Sequence, residues 1–302
     1  MAYPACFRWH KKALAMNRLP VLDRLADSIV RRASGEGGRR KMAQRRFHAT
    51  LRERLPQSFQ APDPGPPAPE HLLRTTAGMT EAEVKKWLNP DFYFRTGYEQ
   101  MREFIHALDA VSFNIRTVGS VFELGCGSGR LLRHLRCIQG IHLIGSDING
   151  ECIKWCREHL PGIAFYRNDL EPSLTFFGAA SVDLIIASSV FTHIPLAQQR
   201  PWLEELYRVM RPGGIFLCTV LGRSYEKAML SAEDRKRLQK DGHLVIDAQD
   251  CKASLATQRA GSCDVFQTRS EVVAVFGSVF QLLDYIDCGA GGQDLLVLLK
   301  PR

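Results

Sequence analysis

The sequence predicts an α/β protein with a seven-stranded mixed sheet, an antiparallel hairpin as the last two strands, and a basic helical extension at the N-terminus. Three observations predict this fold class. Apolar segments of strand length alternate with helical patterns over residues 119–302. A glycine-rich turn follows the first of these segments, and the last two segments are separated by a short stretch that contains Gly289-Ala290-Gly291-Gly292.

Composition excludes several protein classes. The chain has 302 residues, of which 45% are hydrophobic, as is usual for a folded globule. No run of about 18 apolar residues is present, so no membrane-spanning helix is expected. The first 20 residues lack an apolar signal core, and we therefore expect a cytoplasmic location. Nine scattered cysteines indicate reduced thiols, and no cluster of His and Cys predicts a metal site.

The positive charge is concentrated at the N-terminus. Residues 1–60 contain 14 Lys and Arg against 4 Asp and Glu, whereas the rest of the chain contains 26 against 28. Apolar residues recur at helical spacing from Lys12 to Arg32, which predicts an amphipathic basic helix. Such a helix can bind an anionic membrane surface or RNA, pack one face on the main domain, or serve as a transit peptide. We favour packing on the main domain.

Proline density marks the predicted domain boundary. The run from Pro62 to Pro69 contains too many prolines for a helix or a central strand. Thr80 and Glu83 form a capping box that predicts a helix start, and an amphipathic helix is predicted from Tyr98 to Val111. The predicted parts are a basic extension (1–60), a proline-rich linker (61–79), N-terminal cap helices (80–118) and a main domain (119–302) with a substrate-cap insertion (222–265).

The glycine-rich turn after the first strand predicts a ligand site. Its glycines can adopt positive φ and have no Cβ, so a flat ligand could lie against bare backbone. Glu123, just before the turn, would repel an anion and suits a ligand with a positive charge. The stretch resembles motif I of the class I S-adenosylmethionine-dependent methyltransferases, whose E/D-x-G-x-G-x-G pattern appears here as Glu123-Leu124-Gly125-Cys126-Gly127-Ser128-Gly129. The resemblance implies S-adenosylmethionine as cofactor, with S-adenosylhomocysteine as product, and a Rossmann-like fold.

The ends of the next two predicted strands supply further candidate cofactor contacts. Asp147, followed by Ile148, ends the second strand, where a carboxylate could accept hydrogen bonds from both ribose hydroxyls. The alternative is that Asp147 caps the helix from about Glu151 to Leu160, a role open also to Asn149 or Gly150. Asn168-Asp169-Leu170 follows the third strand. The resemblance implies that Asp169 accepts a hydrogen bond from the adenine amino group, although a solvated turn residue is the alternative.

The loop after the fourth predicted strand, Val182–Ser189, borders the crevice where the sheet changes direction. We expect the backbone of Ser188 to contact the methionine moiety and Phe191 to present its ring to the sulfonium. His193 is a candidate general base toward an acceptor hydroxyl, because its imidazole titrates near neutral pH. The alternative is that His193 caps the following helix.

The rest of the chain completes the predicted sheet. A Pro-Gly-Gly turn precedes the fifth strand, which is predicted from Ile215 to Val220. Strands six and seven are predicted over Phe280–Asp287 and Gln293–Leu299. A terminal antiparallel hairpin distinguishes this family from dinucleotide dehydrogenases, and its presence supports the resemblance.

The predicted function is methyl transfer to an oxygen or nitrogen nucleophile of a small molecule such as a sugar or secondary metabolite. The loop 188–193 and the Gly292-Gln293-Asp294-Leu295 pattern resemble bacterial methyltransferases of that kind. Two alternatives stay open: an RNA methyltransferase that uses residues 1–60 to hold the nucleic acid, and a non-catalytic binding protein with the same fold. The sequence does not predict the oligomeric state.

Overall fold

A seven-stranded sheet organises the protein, which was analysed as a computed structural model that describes residues 65–77, 90–246 and 264–302. Its strands are β1 (Ser120–Leu124), β2 (His142–Asp147), β3 (Ile163–Arg167), β4 (Val182–Ala187), β5 (Met210–Val220), β8 (Gln281–Ala290) and β9 (Gln293–Leu299). They lie in the order β3-β2-β1-β4-β5-β9-β8. Strands β1 to β5 are parallel, and β9 runs antiparallel between β5 and β8. The predicted mixed sheet with a terminal hairpin is confirmed.

Helices cover both faces of this sheet. The α-helices of the described residues are α1 (Glu70–Ala77), α2 (Pro90–Ala110), α3 (Gly150–His159), α4 (Leu196–Val209), α5 (Arg223–Met229), α6 (Ala232–Asp241) and α7 (Arg269–Gly277). Successive strand residues point to opposite faces. Val121 accordingly packs in a core cluster with residues of α2 and α3, and Phe122 packs in a second cluster with residues of α4 and α7. Both faces of the central strands are therefore buried.

The element after the glycine-rich turn is a short 3₁₀ helix, Leu132–Cys137, because its backbone bonds join residues three apart. Its residues Leu132 and Leu135 are buried. Strand β5 begins at Met210, before the predicted Ile215, because Met210 already pairs with Val182 of β4.

The N-terminal region includes one correction. The predicted linker 61–79 contains α1, and Leu72 and Leu73 of this helix belong to the main core cluster. The segment Glu70–Ala77 therefore packs against the domain as a helix, and this part of the predicted linker is not a linker. Helix α2 begins at Pro90, earlier than predicted, and ends at Ala110. The extension 1–60 and the capping box at Thr80 lie outside the described residues.

The region predicted as a substrate cap forms a small substructure beside the sheet. Helices α5 and α6 are followed by β6 (His243–Ile246) and β7 (Asp264–Gln267), which pair antiparallel. The apolar side chains Leu238, Leu244 and Phe266 hold these elements together. Strand β7 is also attached to the main domain, because the Val265 backbone N–H donates to the Thr192 carbonyl at 2.8 Å.

Candidate functional site

The glycine-rich turn joins β1 to the 3₁₀ helix at the carboxyl end of the sheet. Gly125, Gly127 and Gly129 have φ values of +69°, +53° and +71°, as the sequence predicted. A Cβ at Gly129 would lie 2.5 Å from Leu160 Cδ1, and one at Gly125 would collide with Val190. A side chain at either position would thus collide with protein atoms. That the turn exposes backbone to a ligand stays a prediction.

Asp147 ties the end of β2 to this turn. Its Oδ2 accepts from the Gly127 N–H at 2.8 Å, and its Oδ1 accepts from the Asn149 N–H at 2.8 Å. Asn149 is the N-cap of α3, since its side chain accepts from the Glu151 and Cys152 N–H groups. The alternative that Asp147 caps this helix is therefore wrong. Burial raises the pKa of the Asp147 carboxyl above its ordinary value, although the two backbone N–H groups oppose the shift. Ile148 lies half-buried beside it.

Glu123 is the buried acid of the site. Its side chain is 2% exposed, and its Oε2 has no hydrogen-bond partner among the described residues. Burial raises the pKa of Glu123 to about 8, although Arg130 and the backbone N–H of Leu132 favour the charged form. A buried carboxylate oxygen without a partner is costly. A cationic group bound at the turn would supply that partner.

Helix α2 closes over the turn and contributes a residue that the sequence did not predict. The Gln100 side chain accepts from Arg130 Nη2 and donates to Ser188 Oγ at 2.8 Å. It thereby connects the turn after β1 to the loop after β4. Tyr93, also on α2, makes a 2.6 Å hydrogen bond with Ser128 Oγ inside the turn. Only the amphipathic pattern of α2 was visible in the sequence, and it does not single out Gln100.

Arg133 packs against the turn and was also not predicted from the sequence. Its guanidinium is fully buried and donates to the carbonyls of Gly129, Ser128 and Pro66 at 2.8 to 2.9 Å. Its Cζ lies 5.3 Å from the Tyr93 ring centroid, within cation–π range. Arginine can satisfy several carbonyls at once because its donors form a rigid planar fork. Arg133 thus fixes the turn to the N-terminal segment that contains Pro66.

The segment after β3 lies beside Asp147. The Asn168 N–H donates to the Asp147 carbonyl at 3.2 Å. Asn168 is 6% exposed, donates from Nδ2 to the Asp169 carbonyl at 2.9 Å, and has an Oδ1 without a partner among the described residues. Asp169 is exposed and Leu170 is half-buried. A buried amide oxygen is therefore present next to the exposed carboxylate that was predicted to contact adenine.

The loop after β4 is held by a ring of three polar side chains. The Ser189 N–H donates to Thr219 Oγ1 at 2.8 Å, and Thr219 donates to Gln293 Oε1 at 2.6 Å. Gln293 Nε2 closes the ring by donating to Ser189 Oγ at 2.5 Å. Ser189 has a φ of +56°, which is uncommon for a residue with a side chain. The ring supports this conformation and sets the course of the chain toward His193.

The position of Phe191 corrects a prediction. Its side chain is 1% exposed, and its ring centroid lies 5.2 Å from that of Phe276 and 6.0 Å from that of Phe216. These partners belong to α7 and β5, in the core cluster that includes α4. The ring is therefore part of the core and is not presented to a sulfonium. An aromatic residue in an apolar loop satisfies packing first, because burial of its ring is strongly favourable.

His193 lies at the other end of this loop, half-buried. Its Nδ1 is 3.6 Å from Asp264 Oδ1, and the two side chains are 28% and 20% exposed. The N-cap of α4 is Pro195, so the alternative that His193 caps this helix is not supported. In the described parts of the chain, no group of three or more His, Cys, Asp or Glu could hold a metal ion. Within the same residues, no helix is long and apolar enough to cross a membrane.

Together these contacts place the predicted acids at one edge of the sheet. Glu123 and Asp147 stand at the ends of the neighbouring strands β1 and β2, and Ser188 follows β4 on the other side of β1. Cys126 is buried within the turn, and its N–H donates to the Ser146 carbonyl at 2.9 Å. The arrangement can hold a ligand with a cationic end over β1 and hydroxyl groups over β2.

Part of the chain is similar in sequence to known methyltransferases. Residues 121–214 match the family model of a methyltransferase domain. The probable phthiotriol/phenolphthiotriol dimycocerosates methyltransferase 2 of Mycobacterium ulcerans is 33% identical over 141 residues, which are 43% of this chain and 50% of that protein. A methyltransferase of Claviceps purpurea is 32% identical over 108 residues, 35% of this chain and 33% of that protein. The chain thus spans half or less of the length of these relatives.

Solved structures also align with most of the chain. The N-methyltransferase NodS from Bradyrhizobium japonicum, in complex with S-adenosylhomocysteine, has a TM-score of 0.45 and 17% identity, covering 77% of this chain and 98% of NodS. A SAM-dependent methyltransferase from Methanosarcina mazei has a TM-score of 0.48 and 17% identity, covering 64% of this chain and 97% of that one.

Proposed function

We propose that this chain, which carries a methyltransferase domain of the class I S-adenosylmethionine-dependent family, transfers a methyl group to an oxygen or nitrogen nucleophile of a small molecule or lipid. The observation that carries the proposal is Glu123, whose buried Oε2 lacks a partner at the glycine-rich turn. An ammonium group bound there would give this buried carboxylate oxygen the hydrogen-bond partner that it lacks.

The residues fit the cofactor in three places. Glu123 would take the amino group of the methionine moiety, and Asp147 would accept hydrogen bonds from the ribose hydroxyls with lone pairs that its backbone contacts leave free. The free Oδ1 of Asn168, with the exposed Asp169, suits the adenine amino group. When bound, the cofactor supplies a methyl group on a positively charged sulfur, which departs as a neutral thioether.

The chain's own part in catalysis is mainly positioning. An in-line displacement requires nucleophile and methyl group to be close and aligned, and rigid loops supply that alignment. The ring of Ser189, Thr219 and Gln293 fixes the loop after β4. His193, on that loop, would accept the proton of an acceptor hydroxyl as general base.

The relatives support the acceptor class. The Mycobacterium ulcerans protein is named for phthiotriol and phenolphthiotriol dimycocerosates, which points to a hydroxyl group on an apolar molecule. A sugar or secondary metabolite with a free hydroxyl fits the same chemistry. RNA is the second candidate acceptor. Residues 1–60 contain 14 basic and 4 acidic residues, and this positive charge suits an anionic partner. An anionic membrane surface is an alternative partner for that extension.

Two measurements test the proposal. Calorimetry with S-adenosylhomocysteine should show binding by the full chain. Incubation with methyl-labelled S-adenosylmethionine should then transfer label to at least one member of a panel of lipids, polyketides, sugar nucleotides and RNA. Label in RNA alone, lost at high salt and on deletion of residues 1–60, would favour the second candidate. Absence of cofactor binding would refute both, and binding with no transfer to any class would leave a non-catalytic binding protein.

A further inference from the structure

We propose that Asp264 is a positioning residue for His193, holding the Nδ1 side of the imidazole so that Nε2 is the basic nitrogen. The inference rests on the proposed function, in which His193 accepts the proton of the acceptor. Asp264 lies outside the segment 121–214 that matches the methyltransferase domain. The insertion beside the sheet would thereby complete the catalytic loop.

The geometry is that of a base with an orienting carboxylate. His193 Nδ1 and Asp264 Oδ1 are 3.6 Å apart, which is within ion-pair distance and slightly longer than a hydrogen bond. Both side chains are partly shielded, at 28% and 20% exposure, so water weakens their interaction less than at an open surface. An imidazole with a carboxylate at one nitrogen places its neutral proton there and keeps its lone pair on the other.

Backbone hydrogen bonds hold the segments that contain His193 and Asp264 against each other. The Val265 N–H, next to Asp264, donates to the Thr192 carbonyl, next to His193, at 2.8 Å. The His193 N–H donates to the Val190 carbonyl at 2.9 Å, which fixes the other side of the loop. His193 in the loop after β4 and Asp264 at the start of β7 therefore each lie one residue away from a backbone hydrogen bond that joins the loop to the strand.

A second set of contacts anchors β7 next to the pair of His193 and Asp264. Phe266 is fully buried and bridges to Leu221 at the end of β5. Gln267 Oε1 accepts from Gln199 Nε2 at 3.1 Å, and the same Gln199 nitrogen donates to the Ile194 carbonyl at 3.1 Å. Gln199 thus joins β7 directly to the residue after His193. Such support from the surrounding shell is what a positioned catalytic group requires.

The proton balance of the step is simple. As the acceptor oxygen forms its bond to the methyl carbon, the carbon–sulfur bond breaks and its electron pair stays on sulfur. The hydroxyl proton moves to Nε2 of neutral His193, which becomes an imidazolium beside the Asp264 carboxylate. That carboxylate stabilises the new positive charge. The proton then passes to solvent, so the overall reaction releases one proton.

The test measures the imidazole directly and needs no acceptor. In the chain of 302 residues, ¹⁵N NMR of His193 should show the neutral ring protonated on Nδ1. Asp264→Asn should reduce the fraction of the neutral ring that is protonated on Nδ1, because the carboxylate beside that nitrogen is lost. Asp264→Glu should keep most of the wild-type fraction. Asp241→Asn, at the exposed end of α6, is the control of equal charge change and should leave the tautomer of His193 as in the wild type.

Two results would overturn the inference. A neutral His193 protonated on Nε2, or an equal tautomer ratio in wild type and Asp264→Asn, would mean that the pair does not orient the ring. Calorimetry with S-adenosylhomocysteine separates this failure from that of the proposed function, because Asp264→Asn should bind it with wild-type affinity.

Discussion

The carboxylate of Asp147 accepts a hydrogen bond from the backbone N–H of Gly127 at 2.8 Å, so the end of β2 holds the middle of the glycine-rich turn. The same carboxylate accepts from the Asn149 N–H at the start of α3. Two of its four acceptor positions are thus used by the backbone. One side chain therefore shapes the turn, and under the proposed function its other acceptor positions would bind hydroxyl groups.

Replacing Asp147 with Ala should weaken binding of S-adenosylhomocysteine by about 2 kcal/mol, roughly 30-fold, because charge-assisted hydrogen bonds are lost. Calorimetry measures this directly. Glu158→Ala, an exposed acid on α3, is the control and should leave affinity unchanged. Wild-type affinity in Asp147→Ala would contradict a ribose-binding role.

Cofactor binding should release a proton through Glu123. Its pKa of about 8 keeps most of the carboxyl protonated at pH 7 in the free protein, and an ammonium ligand favours the ionised form. The binding enthalpy of S-adenosylhomocysteine at pH 7 should therefore depend on the ionisation enthalpy of the buffer. At pH 9 the carboxyl of Glu123 is already largely ionised, so its share of the dependence should disappear.

A matched pair of variants identifies the residue that releases this proton. Glu123→Gln should remove the buffer dependence, whereas Glu103→Gln should keep it. Glu103 is a good control because burial raises its pKa to about 7 while its Oε2 accepts from the Gly291 N–H. If Glu103→Gln abolished the dependence and Glu123→Gln did not, the proton would come from the helix that covers the site.

Glu123 should also make the free protein less stable as pH rises. Its pKa is about 8 in the folded protein and 4.5 ordinarily, so the folded chain holds the extra proton between these values. The free energy of unfolding should fall as pH increases from about 4.5 to about 8, and the contribution of Glu123 is fully favourable only below that window. Glu123→Gln should flatten this part of the curve, measured by urea denaturation at each pH.

Gly129→Ala should destabilise the protein more than Gly162→Ala. Both glycines have positive φ, +71° and +86°, so each substitution costs about 1 kcal/mol from backbone strain. Only Gly129 has a neighbour in the way, Leu160 Cδ1 at 2.5 Å, which adds about 1–3 kcal/mol of overpacking. Denaturant unfolding compares the two. Equal losses would mean that Leu160 moves aside without cost.

Substitutions of Phe191 should change the free energy of unfolding and leave the affinity for S-adenosylhomocysteine unchanged. Phe191→Ala should cost about 3–5 kcal/mol because a buried aromatic ring is removed from the cluster with Phe216 and Phe276. Phe191→Leu should cost less and keep wild-type affinity for S-adenosylhomocysteine at a temperature where it is folded. Reduced affinity in Phe191→Leu without loss of stability would indicate that the ring contributes to the cofactor site.

Deletion of residues 1–60 should leave a cooperatively melting domain that binds S-adenosylhomocysteine, because the Pro66 carbonyl that binds Arg133 is retained. Deletion of residues 1–77 should lower the melting temperature strongly. It removes Pro66, Leu72 and Leu73, and leaves a buried guanidinium with an unsatisfied donor. Equal melting of the two truncated proteins would show that the packed segment contributes nothing to stability.

The sequence by itself determined the sheet, the glycine-rich turn and the terminal hairpin. Period-two and continuous apolar patterns specify strands locally, and glycine is required where φ is positive, so both features can be read without knowing the neighbours. The positions of Glu123 and Asp147 followed as well, because parallel strands end at one edge of a sheet.

Only the tertiary structure decided which side chains meet there. Gln100 reaches Ser188, Arg133 is buried under the turn, and Asp264 lies beside His193, each across a long stretch of chain. Phe191 turned into the core although its position in sequence favoured the crevice. A side chain's direction after an irregular loop depends on the packing of elements that are distant in sequence, and local periodicity carries no information about that packing.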